Sequence, residues 1–156
     1  MKSFCFGRLG IAGAFSLLMI APRNGLYAQK MTSSSVKIEK GDHGQRIVFG
    51  KASHYSKSLD GTLTAIGTRY RNHKLTAASN FFKLRTWVRV TRLSNDLSVV
   101  VFINDRMHKA MARKGRVIDL SVSAADKLDF MGPSGITKVK VEQIPKSEAL
   151  EELNVQ

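Results

Sequence analysis

The sequence predicts a mainly β protein: a small closed barrel of five or six short strands with one or two short helices. Three observations carry this. Apolar and polar residues alternate over short stretches such as Val88-Arg89-Val90-Thr91 and Val139-Lys140-Val141-Glu142, the period of a half-buried strand. Ser98-Val99-Val100-Val101-Phe102-Ile103 is a continuous, largely β-branched run, the pattern of a strand covered on both faces. Helix signals, by contrast, are convincing at only one interior stretch, in a domain of roughly 100 residues.

The N-terminus reads as a secretory signal, not as fold. Lys2 and Arg8 precede an apolar stretch from Ile11 to Ala21. That stretch is too short to span a bilayer. Leu26-Tyr27-Ala28 then ends in the small residue that a signal peptidase requires, so residues 1–28 are expected to be removed. An uncleaved membrane anchor is the alternative, weakened by Pro22-Arg23-Asn24-Gly25, which interrupts any longer hydrophobic helix. No transmembrane helix is expected in the mature form. Cys5 lies ahead of the apolar stretch, where a lipoprotein cysteine would have to follow it. As the single cysteine it also excludes an intramolecular disulfide and a thiolate zinc cluster.

Residues 29–45 are polar, carry Gly41 and Gly44, and are expected to be a flexible leader. The barrel is expected over residues 46–144, beginning at Arg46-Ile47-Val48-Phe49. Asn95-Asp96 marks a turn that joins the flanking strands as a hairpin. Val117-Ile118-Asp119-Leu120 is a further short strand. The interior helix is expected over 123–130. Ser121 or Ser123 caps it, Ser123-Ala124-Ala125-Asp126 fits a capping box, and Gly132-Pro133 ends it. Residues 145–156 form an acidic tail with room for a short helix but not for a second domain.

Charge narrows the function classes. Lysine and arginine number 25 against 12 acids, a formal net charge of +13 over 156 residues. Removing residues 1–28, with three cations and no acid, leaves 128 residues and an excess of +10. An acidic solvating protein is excluded and an anionic partner favoured. Arg85, Arg89, Arg92, Lys109, Arg113, Lys114 and Arg116 read either as a solvated surface or as an attraction for anionic envelope polymers. Nucleic acid is not expected, because the chain has an export signal and no nucleic-acid motif. The four histidines show no metal-ligand spacing, so neither a metal nor a cofactor is expected.

Several motifs, taken in order, resemble the rare lipoprotein A (RlpA) family of bacterial cell-envelope proteins. Gly50-Lys51-Ala52-Ser53-His54-Tyr55 is similar to the family's G-x-A-S-x-Y, and Thr64-Ala65-Ile66-Gly67 to its T-A-N-G. Leu75-Thr76-Ala77-Ala78 resembles its L-T-A-A, and Thr86-Trp87-Val88-Arg89-Val90-Thr91 its T-x-V-R-V-T. Asn104-Asp105-Arg106 resembles its N-D-R, and Ile118-Asp119-Leu120-Ser121 with Ala124, Ala125 and Leu128 its I-D-L-S-x-x-A-A-x-x-L. The resemblance covers residues 48 to 144. It implies a six-stranded double-psi β-barrel in the periplasm or cell envelope. It also implies endolytic lytic transglycosylase activity on peptidoglycan glycan strands poor in stem peptides, in wall remodelling or daughter-cell separation.

That reaction needs one carboxyl group to act as acid and then as base, because the sugar's own 6-hydroxyl is the nucleophile. The carboxylate pair of ordinary glycosidases is not required. Asp105, the aspartate of N-D-R, is the candidate. Its position at the end of the most apolar strand favours holding a proton, while the cationic excess opposes it. The alternative is an Asp105 that pairs with Arg106 or caps a loop. The resemblance also marks Tyr70, Asn104 and Arg106 as substrate contacts. Departures surround them. The family's acid after T-A-N-G is Thr68, the aspartate after its tyrosine is Arg71, the histidine after T-A-A is Ser79, and G-P after N-D-R is Met107-His108. Arg71 is therefore a candidate anion contact, Ser79 a hydrogen-bonding contact and His108 a weak stand-in for the lost histidine. Trp87, out of phase with Val88 and Val90, is a candidate sugar platform, as are Tyr55, Phe81 and Phe82 unless they are core. Asp119 is expected to support the site structurally. A glycan-binding barrel without activity is the competing reading.

Overall fold

A computed structural model describes residues 36–155 apart from Pro133. The expected signal peptide, its cleavage point, Cys5 and the first part of the leader lie outside the described residues. Seven strands are described: β1 (Lys37–Lys40), β2 (Arg46–His54), β3 (Thr76–Ala78), β4 (Trp87–Arg92), β5 (Ser98–Asp105), β6 (Arg116–Leu120) and β7 (Ile136–Ile144). Three short helices accompany them: α1 (Lys109–Arg113), α2 (Val122–Lys127) and α3 (Lys146–Val155).

Six strands close a barrel in the order β2-β6-β3-β5-β4-β7, with β7 returning to β2. Two neighbouring pairs, β2–β6 and β3–β5, are parallel; the rest are antiparallel. Parallel neighbours cannot be joined by a tight hairpin, so the chain crosses the barrel ends between them. These crossings give the double-psi barrel. β4 and β5 form the expected hairpin, with Asp96 in the left-handed region at φ 57°. Their inward residues Val88, Val90, Val99, Val101 and Ile103 are fully buried and meet Val48, Ile118, Leu120 and Val141 in one core.

Gly50 is a glycine because two strands meet there. A Cβ at this position would lie 2.3 Å from Val117 Cγ1 and 3.1 Å from the Gly115 carbonyl oxygen. The β2–β6 register shifts immediately afterwards, between Lys51 and Ala52.

The structure corrects three expectations of local structure. Within the segment read as leader, β1 pairs antiparallel with β2, Lys37 opposite Phe49 and Lys40 opposite Arg46. Its single exposed apolar residue, Ile38, gave no readable alternation. A second interior helix, α1, follows Asp105; it buries none of its residues, so it has no apolar stripe to read. β3 is too short, and too rich in alanine, to announce itself as a strand. Ser121 is the cap of α2, its Oγ accepting from the Ala124 N–H at 3.3 Å.

The tail forms α3 and docks on β4. Arg89 Nη2 donates to Glu148 at 2.6 Å and also to Glu152, and Ala149 packs over Ile144 and Val100. Arg89, Arg92 and Arg116 are thus not a free basic surface. Arg92 binds the Leu128 carbonyl and Arg116 lies 3.7 Å from Asp119. No described helix is long and apolar enough to cross a membrane.

Gly50→Ala is expected to lower stability by about 1–3 kcal/mol, since Val117 and the Gly115 carbonyl must both give way. Urea unfolding of the two proteins measures it; an unchanged midpoint contradicts the close approach.

Candidate active site

Strand pairing sets Ser53, Asp119, Ala78 and Asp105 side by side across β2, β6, β3 and β5. Tyr55 follows directly on β2, its N–H donating to the Leu120 carbonyl at 2.9 Å. Tyr55 Oη donates to Asp105 Oδ2 at 2.9 Å. The other carboxylate oxygen, Oδ1, accepts two backbone N–H groups, from Ala65 at 2.9 Å and Arg106 at 2.8 Å. Asp105 therefore holds down the loop over residues 62–70, as well as standing at a strand end.

That loop is a tight turn. Thr64 and Thr68 close it through the Thr64 N–H, which donates to the Thr68 carbonyl at 2.8 Å, and Gly67 supplies the left-handed residue at φ 81°. The Ile66 N–H reaches the Asn104 carbonyl at 3.3 Å, laying the turn against the end of β5. The spacing of Thr64-Ala65-Ile66-Gly67 is thus explained locally. The threonine hydrogen-bonds the turn, the alanine N–H faces the carboxylate, and the glycine takes the backbone angle.

Three donors occupy three of the roughly four acceptor sites of the carboxylate. Oδ1 is filled by its two N–H groups. One lone pair on Oδ2 is met by no donor among the described residues. Burial, joined by the Asp105 charge and hydrogen bond, pushes the Tyr55 phenol far above its ordinary range, so Tyr55 stays a donor. Tyr70 packs against Tyr55 with ring centroids 4.6 Å apart.

Asp119 is locked from two sides: Ser53 Oγ donates to its Oδ1, and Arg116 lies beside it. Burial raises this carboxyl above its ordinary value. The Ser53 hydrogen bond and the Arg116 and His54 charges oppose the shift without cancelling it.

Four expected contacts are placed otherwise. Tyr70 is buried, and its hydroxyl accepts from the Val122 N–H at 3.3 Å, so it props Tyr55 and α2 and does not face substrate. Ser79 is fully buried, its Oγ donating to the Val117 carbonyl at 2.7 Å and accepting the Phe81 N–H. Arg106 turns its guanidinium to the carbonyls of Ser79 and Phe82 and clamps the loop after β3. His108 caps α1 through Nδ1, 3.3 Å from the Ala110 N–H, and is an exposed end-cap. Residue type and motif position gave these candidates; burial and partner, which decide them, are long-range properties.

Arg106 and Asn104, the sequence neighbours of Asp105, border different clefts. Arg106 borders one cleft of about 690 Å³ with Asn80, Phe81, Phe82, Lys40, Arg46 and Lys83. Trp87 and Asn104 border another of about 440 Å³, together with Thr68 and Arg71. Trp87 is half-buried, packed against the cluster of Val100, Ile144 and Ala149 beneath α3. Arg71 is held 3.2 Å from Asp60, whose carboxyl sits below its ordinary value through the Asn72 N–H bond and then the Arg71 contact. Tyr55 is the residue whose hydrogen bond to Asp105 the motif reading did not anticipate. Its signal was its place at the end of the Gly50-to-Tyr55 motif, just past β2. Among the described residues, no group of His, Cys, Asp and Glu is arranged to hold a metal ion.

Residues 47–141 match the family described as lytic transglycolase. The chain belongs to this double-psi barrel family. Among curated lytic transglycolase relatives, an endolytic peptidoglycan transglycosylase RlpA of Pasteurella multocida is 43% identical over 61% of this chain and 31% of its own length. An RlpA of Rickettsia felis is 41% identical over 62% of this chain and 42% of its own length. The chain thus spans less than half of these relatives. Among solved structures, the Streptomyces papain inhibitor covers 70% of this chain and all of its own at 19% identity and a TM-score of 0.49.

The raised Asp119 carboxyl holds its proton more tightly in the folded than in the unfolded chain. Its contribution to stability is therefore present at low pH and is lost as pH rises from the unfolded value upward. Urea midpoints of wild type and Asp119→Asn, measured from about pH 3 to about pH 7, are expected to shift in favour of the variant as pH rises. A constant difference would show that burial does not act on this group.

Proposed function

We propose that the protein is an exported endolytic lytic transglycosylase acting on peptidoglycan glycan strands, with Asp105 as its single acid–base group. One observation carries the reading: of the acceptor sites of Asp105, three are filled from within the protein and one, on Oδ2, is open. Family membership and the RlpA relatives support the substrate class. The apolar N-terminal segment supports a place in the periplasm or envelope, and the cationic excess suits anionic envelope polymers.

The step balances with this one group. The proton on Oδ2 passes to the glycosidic oxygen as the bond from the anomeric carbon of N-acetylmuramic acid to that oxygen breaks. The 6-hydroxyl oxygen of the same sugar bonds to the anomeric carbon, and its proton passes to Asp105. The products are a 1,6-anhydro end and a free hydroxyl, and the carboxyl is ready again. Tyr55, held as a donor, steadies the carboxylate between the two transfers. Thr68, where the family has its acid, leaves Asp105 without a second carboxyl in that turn.

A non-enzymatic glycan-binding barrel is the second reading, favoured by the two backbone N–H groups that make Asp105 a loop anchor.

Incubation of the mature protein with denuded glycan and with intact sacculi separates the two. The enzyme is expected to release 1,6-anhydro fragments, and Asp105→Ala to cut that release by about 100-fold or more. Tyr55→Phe is expected to slow release without abolishing it. Co-sedimentation with sacculi and no anhydro product from the wild type sinks the enzymatic reading.

A further inference from the structure

The cleft bordered by Arg106 takes no part in the acid–base chemistry, and its walls are cationic. Lys40, Arg46, Lys83 and Arg106 line it, and all four are exposed. Its one carboxylate, Glu39, is already paired with Lys37. The two guanidiniums are held in place. Arg46 Nη1 donates to the Phe81 carbonyl at 3.2 Å, and Arg106 Nη1 to the carbonyls of Ser79 and Phe82. Asn80, in the same loop, exchanges hydrogen bonds with the Met107 backbone at 2.9 and 3.2 Å.

Each arginine thus spends one nitrogen on the loop over residues 79–82. Its other N–H groups have no partner among the described residues. A guanidinium fixed in position with donors to spare suits an oxyanion. Two of them fixed by one loop suit a phosphate, which has oxygens enough to meet both. The side chains of Lys40 and Lys83 make no hydrogen bond or ion pair among the described residues, so their charge is available to the same anion.

The rim also has an apolar member. Ile38 borders the cleft and is 53% exposed on β1, with Lys37 and Lys40 along the same strand; Phe81 borders it too and is half-buried. Cations around an outward aliphatic side chain suit an anionic bilayer, whereas a soluble phosphate would leave Ile38 in water. The volume of about 690 Å³ exceeds what one phosphate fills and admits a headgroup with its glycerol.

We propose that this cleft binds the phosphate of an anionic phospholipid at a membrane surface, with Arg46 and Arg106 on the phosphate oxygens, Lys40 and Lys83 adding charge, and Ile38 at the edge of the acyl region. The contact concerns where the barrel sits, and it holds whether or not Asp105 transfers a proton.

The test is co-sedimentation with vesicles of phosphatidylcholine, with and without phosphatidylglycerol. It uses the mature protein, residues 29–156, which contains every described strand and helix and lacks the apolar N-terminal stretch that would itself enter a bilayer. Binding is expected only where phosphatidylglycerol is present. Lys40→Gln/Lys83→Gln, which loses no contact within the fold, is expected to weaken it about 25-fold. Arg46→Lys keeps the charge and loses the fork, and is expected to weaken it by at least about twofold. Lys57→Gln/Lys127→Gln removes as much charge elsewhere. Arg46 begins β2, Lys57 lies past its other end, and Lys127 ends the helix that follows the parallel β6. That pair is expected to change binding by less than about twofold. Circular dichroism checks the fold of each variant. Equal losses from the two lysine pairs would show attraction by net charge and overturn the cleft. Full binding by Arg46→Lys overturns the guanidinium contact. Equal binding to both kinds of vesicle, or binding to neither, overturns the membrane contact.

Discussion

The double pairing of β2 is the constraint on which the rest depends. β2 is bonded to β6 along one edge and to β7 along the other, and its start also receives β1. The antiparallel bond to β7 closes the barrel. The parallel bond to β6 forces the long crossings that bring distant segments to one end. Tyr55 and Asp105 are 50 residues apart, and they meet because β2 and β5 finish near each other. Gly50 belongs to the same constraint, since β6 approaches β2 too closely there for any side chain.

The cationic excess is less of a free surface than the composition suggests. Arg89 is spent on the acidic tail helix, Arg106 on the carbonyls that shape the loop after β3, and Arg116 on Asp119. These are short-range contacts, and they fix local geometry in a way that net charge cannot. Lys74 borders one cleft and Lys40 and Lys83 the other, while Arg85, Lys109, Arg113 and Lys114 are exposed elsewhere on the surface. Partly buried charge networks of this kind define position more than they add stability.

The legible parts of the sequence were those whose signal is local. The run from Val99 to Ile103 cannot be solvated, so β5 is a strand in any fold. Ser121 sits where a helix needs an acceptor, so α2 begins there. Asp105 was legible because the three-residue motif around it is carried by the turn that its carboxylate anchors. Tyr70 and Ser79 were misplaced because sequence gives the type of a side chain and not what covers it. Tyr70 is buried where its hydroxyl meets the start of α2, and Ser79 against the Val117 carbonyl of β6, contacts made 52 and 38 residues away. β1 and α1 were missed because neither has an apolar face; pairing with β2 makes the first, and a histidine cap starts the second.

The single open lone pair on Asp105 also restricts the stereochemistry available to it. An oxygen that gives a proton to the departing group and then takes one from the incoming hydroxyl must meet both from one direction. Two oxygens approached from one direction lie on the same face of the sugar ring. In a β-linked muramic acid the departing oxygen and the C6 arm do share a face, so the anhydro bridge forms where the leaving group was. A carboxyl so occupied by its own protein suits a reaction that retains the anomeric configuration.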